Sequence, residues 1–123
     1  VNPAMPATVD AAELVRLNRS GEIDGCDVGG PFALDNALFP EAAELKGLDG
    51  PVAGRSDILL MPNIEVGNAL YKSLAFLQNL PVAGAIVGAK APVIITSRAD
   101  SQESKHRSII LSLYLAKKQK ERV

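Results

Sequence analysis

The chain has 123 residues, room for one domain of ordinary size, and its 13 Lys and Arg against 14 Asp and Glu leave a formal charge of -1. That balance offers no basic excess for neutralising the phosphates of a nucleic acid, and 4% aromatic residues are too few for a base-stacking platform. With 47% hydrophobic residues and no Trp, the core must come from Val, Ile, Leu and Ala, a composition that suits buried parallel strands.

Val1-Asn2-Pro3-Ala4-Met5-Pro6 has no initiator Met and no basic stretch leading into an apolar one, so it reads as a cut end and not as a secretory signal. Thr8 is placed to cap a helix over about 9–19, with Asp10 and Glu13 at its positive end and Ser20-Gly21 stopping it. Residues 22–28 then read as a short strand carrying the single cysteine, Cys26. One cysteine makes no internal disulfide and no Cys/His cluster has zinc spacing, which points to a reducing, cytoplasmic setting with Cys26 as a small buried side chain. Gly29-Gly30-Pro31 breaks the chain and delivers Phe32–Ala37 as a loop or helix start. Pro40 and Gly47 bracket a short helix through 41–46, and a turn-rich linker follows to Arg55.

Asp57-Ile58-Leu59-Leu60-Met61 is an apolar run of strand length closed by Pro62. Asn63 can cap a helix whose Val66, Ala69, Leu70, Ser73, Leu74 and Leu77 share one face, and Pro81 closes it. A second apolar strand over 82–87 completes a strand, helix, strand unit with a right-handed crossover. The link 88–92 to Val93-Ile94-Ile95-Thr96 is too short for a parallel crossover, so that pair is expected to be antiparallel. Asp100 with Glu103 resembles a capping box for a last helix over about 101–118, with Ile109, Ser112, Leu113 and Ala116 on one face and Lys117, Lys118, Lys120 and Arg122 toward its negative end. The expected architecture is one α/β domain, a mixed, mostly parallel sheet flanked by helices. No apolar run approaches the roughly 20 residues that span a bilayer.

Ligands of open α/β sheets settle at the carboxyl ends of strands, beside helix N-termini. Three loops qualify: Asp27–Asn36, Met61–Asn68 and Thr96–Ser101. The last places two hydroxyls and a guanidinium between a strand end and a helix start, a combination that favours an anionic oxygen such as phosphate.

Four segments carry a family likeness. Gly30-Pro31-Phe32-Ala33-Leu34-Asp35-Asn36-Ala37, Ala53-Gly54-Arg55-Ser56-Asp57-Ile58-Leu59-Leu60-Met61-Pro62, Ile64-Glu65-Val66-Gly67-Asn68-Ala69-Leu70-Tyr71-Lys72 and Thr96-Ser97-Arg98-Ala99-Asp100-Ser101 stand in order and spacing as in the phosphate acetyl/butyryltransferases. Over nearly its whole length the chain resembles the C-terminal part of that family, and its phosphate butyryltransferase branch most. The resemblance implies an isocitrate/isopropylmalate dehydrogenase-like fold, a cytoplasmic homodimer, and reversible acyl transfer between coenzyme A and inorganic phosphate through a ternary complex, with acyl-CoA and phosphate as partners. It implies no metal and no resident cofactor, coenzyme A being a substrate, and an N-terminal segment supplying the opposite wall of the cleft.

Matched to the family motif, Ser97 and Arg98 are the catalytic candidates. Arg98 would clamp phosphate with its planar fork, and Ser97 would donate to the developing oxyanion, a contact worth roughly 3 kcal/mol in a dry site. Thr96, Asp100, Lys90, Gly67, Asn68 and Asn36 join Arg98 as candidates for phosphate and coenzyme A. The carboxylate proposed as base in the acetyl branch falls on Ser104, with Glu103 adjacent and Asp100 four residues earlier, so the base stays open. A thiol of pKa near 8.5 is a few per cent ionised at neutral pH, and Lys90 or Lys72 could supply a field that favours the thiolate.

Each candidate also has a structural reading. Ser97 or Asp100 can be a plain helix cap, Gly67 and Asn68 a close-packing start of a helix, and Asp35 and Asn36 turn residues. His106, in Lys105-His106-Arg107, reads as a solvated face. A non-catalytic dimerisation or regulatory module is the alternative to an enzyme. A nucleotide-binding domain lacks both a P-loop and a GxGxxG after a strand.

Overall fold

Helix α1 runs Pro6–Arg19 in the computed structural model, which describes residues 1–121. It begins earlier than expected because Pro6 occupies the first helical position, where its fixed φ is already helical. Thr8 is therefore inside the first turn, its Oγ1 donating to Met5 O at 2.9 Å and accepting from Asn2 N at 2.9 Å. The helix stops at Ser20 as the sequence indicates, and Gly21 follows at φ 80°.

The strand expected over 22–28 is absent. Asn18, near the end of α1, gathers that segment instead: its Nδ2 donates to Ile23 O (3.0 Å) and Cys26 O (2.8 Å), and its Oδ1 accepts from Val28 N (3.1 Å). Backbone groups satisfied by a side chain have no ladder to join. Cys26 is exposed on this loop, not buried as expected.

Two short helices follow, α2 (Leu34–Leu38) and α3 (Pro40–Leu45), with Pro40 in the predicted first position. Segment 54–56 folds onto them: Gly54 N donates to Asn36 O at 2.7 Å and Ser56 N to Ala37 O at 3.0 Å. Gly54 sits at φ 71°, and a Cβ there would lie 2.5 Å from Pro40 Cα, so the close approach requires glycine. Asn36, Ala37, Ala43, Ala53 and Gly54 are the buried residues of this region. They belong to one compact unit, Val1–Asn63; the second is Ile64–Val123.

In the second unit, α4 (Ile64–Lys72) continues into a π-helical turn, Ser73–Leu77, closed by Gln78 N donating to Ser73 O at 3.1 Å. The wider turn shifts the register of the apolar stripe, and Leu77, expected on the covered face, is 80% exposed. Helix α5 runs Gln102–Lys120 and is capped by Ser101, whose Oγ accepts from Ser104 N at 3.1 Å, rather than by an Asp100–Glu103 box. Of the face expected to be covered, Ser112 is buried and Ala116 half-buried, but Ile109 and Leu113 are exposed and Ser108 is buried in their place. Small hydroxyls win because the backbone of the 82–88 segment packs there: Ser108 Oγ accepts from Gly84 N at 3.0 Å and donates to Ser104 O at 2.7 Å. Lys117, Lys118 and Lys120 occupy its last turn as expected, while Arg122 lies outside the described residues.

No strand forms among the described residues, which corrects the expected mostly parallel sheet. The pairing that does occur is a bridge between Ile86 and Val93, antiparallel as the short link required, with Ile86 N donating to Val93 O at 3.0 Å. The runs at 57–61, 82–87 and 93–96 have strand composition but no neighbouring strand, and a ladder needs two chains. Ile58, Leu60, Val87 and Ile95 are 72–85% exposed in consequence.

Candidate functional site

The chain between the Val93 bridge and α5 turns at Ser97–Asp100, and the turn is closed on itself. Asp100 N donates to Ser97 O at 3.1 Å, Ser97 N donates to Asp100 Oδ2 at 2.7 Å, and Ala99 N donates to Ser97 Oγ at 3.3 Å. The other Asp100 oxygen, Oδ1, accepts from the Tyr71 hydroxyl of α4 at 3.1 Å. Burial, and then the hydrogen bond to this carboxylate, push the Tyr71 phenol above its ordinary pKa, so it remains a donor through the neutral range.

This turn stands at the entrance of the 19-residue helix α5, whose first amides carry partial positive charge. Beside it a cavity of about 380 Å³ is lined by Ala99, Asp100, Ser101, Glu103, Ser104 and Arg107, and by Ala75–Phe76 and 79–82 across from them. The lining mixes two carboxylates, two hydroxyls and a guanidinium, and Arg107 is paired with Glu103 on the helix surface. Lys72 holds its ammonium 5.2 Å from the centroid of the Phe76 ring, on the cavity wall.

Of the residues singled out in the sequence, Ser97 and Asp100 are brought together, with Arg98 between them. Arg98 is exposed, Thr96 and Ser97 are half-buried, and none of the three lines the cavity that their neighbours Ala99 and Asp100 line. Gly67 and Asn68 stand four and three residues before Tyr71, on the same side of α4. Lys90 is exposed on the 88–92 link. Asn36 belongs to the first unit, where it is 7% exposed with its Oδ1 lacking a hydrogen-bond partner among the described residues. Its neighbour Asp35 pairs with Lys46 at 2.8 Å, and that hydrogen bond leads the lowering of its carboxyl pKa. The Gly29–Gly30 loop lines a smaller cavity of about 190 Å³ with Arg19 and Asp49 at its edge. His106 is exposed, as the sequence indicates.

Sequence reasoning missed Tyr71 and Ser101. Tyr71 had a signal: a phenol one position from Leu70 and three from Leu74 of the apolar stripe needs a partner for its hydroxyl, and an acid preceding the next helix is a natural one. Ser101 was masked by Asp100, since either can cap a helix.

Comparison with known proteins gives one consistent result. The family model for phosphate acetyl/butaryl transferase matches residues 1–113. The phosphate acetyltransferase of Thermotoga maritima is 54% identical over 116 residues, which is 94% of this chain and 40% of that protein. The phosphate butyryltransferase of Clostridium acetobutylicum is 53% identical over 116 residues, 94% of this chain and 38% of that protein. A solved branched-chain phosphotransacylase from Enterococcus faecalis superposes with a TM-score of 0.80 at 43% identity, over 94% of this chain and 41% of its own. The chain thus spans about two fifths of the length of the relatives it matches.

Proposed function

Since the chain belongs to the phosphate acetyl/butaryl transferase family, we propose that the protein carrying it transfers an acyl group reversibly between coenzyme A and inorganic phosphate, with the Ser97–Asp100 turn as its anion-handling element. The observation that carries the reading is the geometry of that turn. Arg98 is exposed beside a helix N-terminus and has no ion pair or hydrogen bond among the described residues, so its fork is available to a phosphate dianion. Ser97 Oγ accepts from Ala99 N, which leaves the hydroxyl proton free to donate outward.

In the direction of acyl phosphate synthesis, a phosphate oxygen attacks the thioester carbonyl and the carbonyl oxygen takes up the electron pair. The tetrahedral oxyanion collapses, the carbon–sulfur bond breaks, and coenzyme A leaves as a thiolate that takes up a proton. Arg98 holds the phosphate for attack and Ser97 hydrogen-bonds the oxyanion. Thr96, Lys90, Gly67 and Asn68 complete the substrate contacts in this reading, and Lys72 adds positive field near the thiolate. Asn36, buried with its neighbours around Gly54, keeps an Oδ1 unpaired among the described residues and is carried in this reading as a further substrate contact.

Butanoyl-CoA is the proposed acyl donor, supported by the butyryltransferase relatives; an acetyltransferase matches at nearly equal identity, so the ratio of kcat/KM for butanoyl-CoA over acetyl-CoA decides. A homodimer is part of the proposal, supported by Ile110, Leu113 and Tyr114 of α5, which are 54–58% exposed. Light scattering on the intact protein checks it. Arg98→Ala should lower turnover by two orders of magnitude or so with thermal stability unchanged. Wild-type rates in that variant would remove Arg98, and with it this assignment of the site.

A further inference from the structure

Both oxygens of the Asp100 carboxylate accept hydrogen bonds from within the protein. Its Oδ2 takes the Ser97 amide at 2.7 Å and its Oδ1 the Tyr71 hydroxyl at 3.1 Å, while its own backbone N–H returns to Ser97 O. Each carboxylate oxygen is thus engaged by a donor of the protein's own, one of them through a short charge-assisted hydrogen bond. The carboxylate is a poor contact for phosphate, since two anions repel. Nor is it the cap of α5, which is Ser101. What the two bonds do accomplish is mechanical: both backbone groups of Ser97 are pinned to Asp100, and Asp100 is pinned to α4.

We propose that Asp100 and Tyr71 are positioning residues, a tether from α4 to the Ser97 amide that fixes the direction in which Ser97 and Arg98 are presented. The inference rests on the proposed role of Ser97 and Arg98 and adds to it how their turn is held. A turn of four residues at a helix entrance has several conformers of similar energy, and an anion site built on it loses affinity in proportion to the time spent in the others. Tyr71 supplies the fixed post, since its ring is half-buried on α4 and its phenol stays protonated. Asp100 supplies the link because one carboxylate accepts two donors at once. An amide in its place accepts the phenol but turns its NH2 toward the Ser97 N–H, donor against donor.

The test uses the intact protein carrying this sequence and two variants, Tyr71→Phe and Asp100→Asn. Phenylalanine keeps the ring and deletes a single oxygen, so this variant is read even if Asp100→Asn folds poorly. We expect Asp100→Asn to lower kcat/KM for phosphate about tenfold with KM for acyl-CoA within about twofold, and Tyr71→Phe to do the same to a smaller degree. The double variant should be no worse than Asp100→Asn alone, because both act through one chain of bonds. The acid limb of the pH–rate profile should stay in place in both. Loss of that limb in Asp100→Asn would make Asp100 a base and overturn the proposal. Independently of catalysis, the Ser97 amide resonance should move upfield and exchange faster in Asp100→Asn, and unchanged Ser97 protection in that variant also overturns it. This amide readout judges the tether by itself, whereas wild-type turnover in Arg98→Ala condemns the proposed function and leaves the tether standing.

Discussion

Serines 108 and 112 lie one turn apart on the covered face of α5, 4% and 3% exposed, yet only one of them is paired. Ser108 Oγ accepts from Gly84 N and donates to Ser104 O, whereas Ser112 Oγ has no hydrogen-bond partner among the described residues. A satisfied buried hydroxyl contributes about 1 kcal/mol net, and removing it also strands the Gly84 amide, so Ser108→Ala should cost about 1–2 kcal/mol. Ser112→Ala should be neutral or stabilising, because the hydroxyl deleted was desolvated without compensation. Urea unfolding of the two variants side by side checks the contrast, and equal losses would refute it. At this scale the sequence was readable where a residue type has a narrow set of uses: Pro40 opening a helix, Gly21 ending one, Arg98 beside a helix start. It was not readable where the deciding fact is a distant partner. Asn18 looked like an ordinary last-turn residue, and nothing local announces that it holds three backbone groups of the loop that follows.

Between elements, the bond from Tyr71 to Asp100 is the contact that makes α4 and the entrance of α5 answer to the same titration. The Tyr71 phenol is raised by burial first and by the Asp100 carboxylate second, so the folded state holds its proton more tightly than the unfolded chain. For an acid raised in this way, stability is complete below the unfolded pKa of about 10 and falls as pH rises from there to the folded value. Wild type should therefore lose more stability than Tyr71→Phe between pH 9 and 11, read as the difference in urea midpoints at the two pH values. Parallel losses in the two proteins would mean that the phenol is not buried against the carboxylate. The long helices were the most legible elements, since Pro6 opens α1 and Ser20-Gly21 ends it, while a capping side chain opens α5. The helix after Pro62 was found, but its π-helical turn was not, because an inserted register step leaves no mark on a 3.6-residue pattern.

For the molecule as a whole, the sheet was the expectation that did not materialise, and surface area says why. A folded monomer of 12.9 kDa exposes about 6,300 Å² by the usual scaling, and two independent half-size units about 7,600 Å². The chain exposes 9558 Å², so even when its two units are counted separately roughly 2,000 Å² is in excess. Much of what stands exposed is apolar and of strand type: Ile58, Leu60, Val87 and Ile95. The runs have the composition of buried strands, but burial is a property of what packs on them, and the family relatives are about two and a half times the length of the segment they share with this chain. Apolar surface left open in this way drives association in water through the hydrophobic effect, against the entropy of bringing two chains together. The 123-residue chain prepared by itself should therefore bind a hydrophobic dye strongly and self-associate at micromolar concentration, with a far-UV spectrum dominated by helix and fast amide exchange over 57–61. Substituting Ile58 and Leu60 together by Thr should weaken both the dye signal and the association while leaving α1 and α5 intact. A monodisperse monomer that ignores the dye would instead require these runs to find partners within the chain, and strand signals at 57–61 and 82–96 in its amide spectrum would locate them.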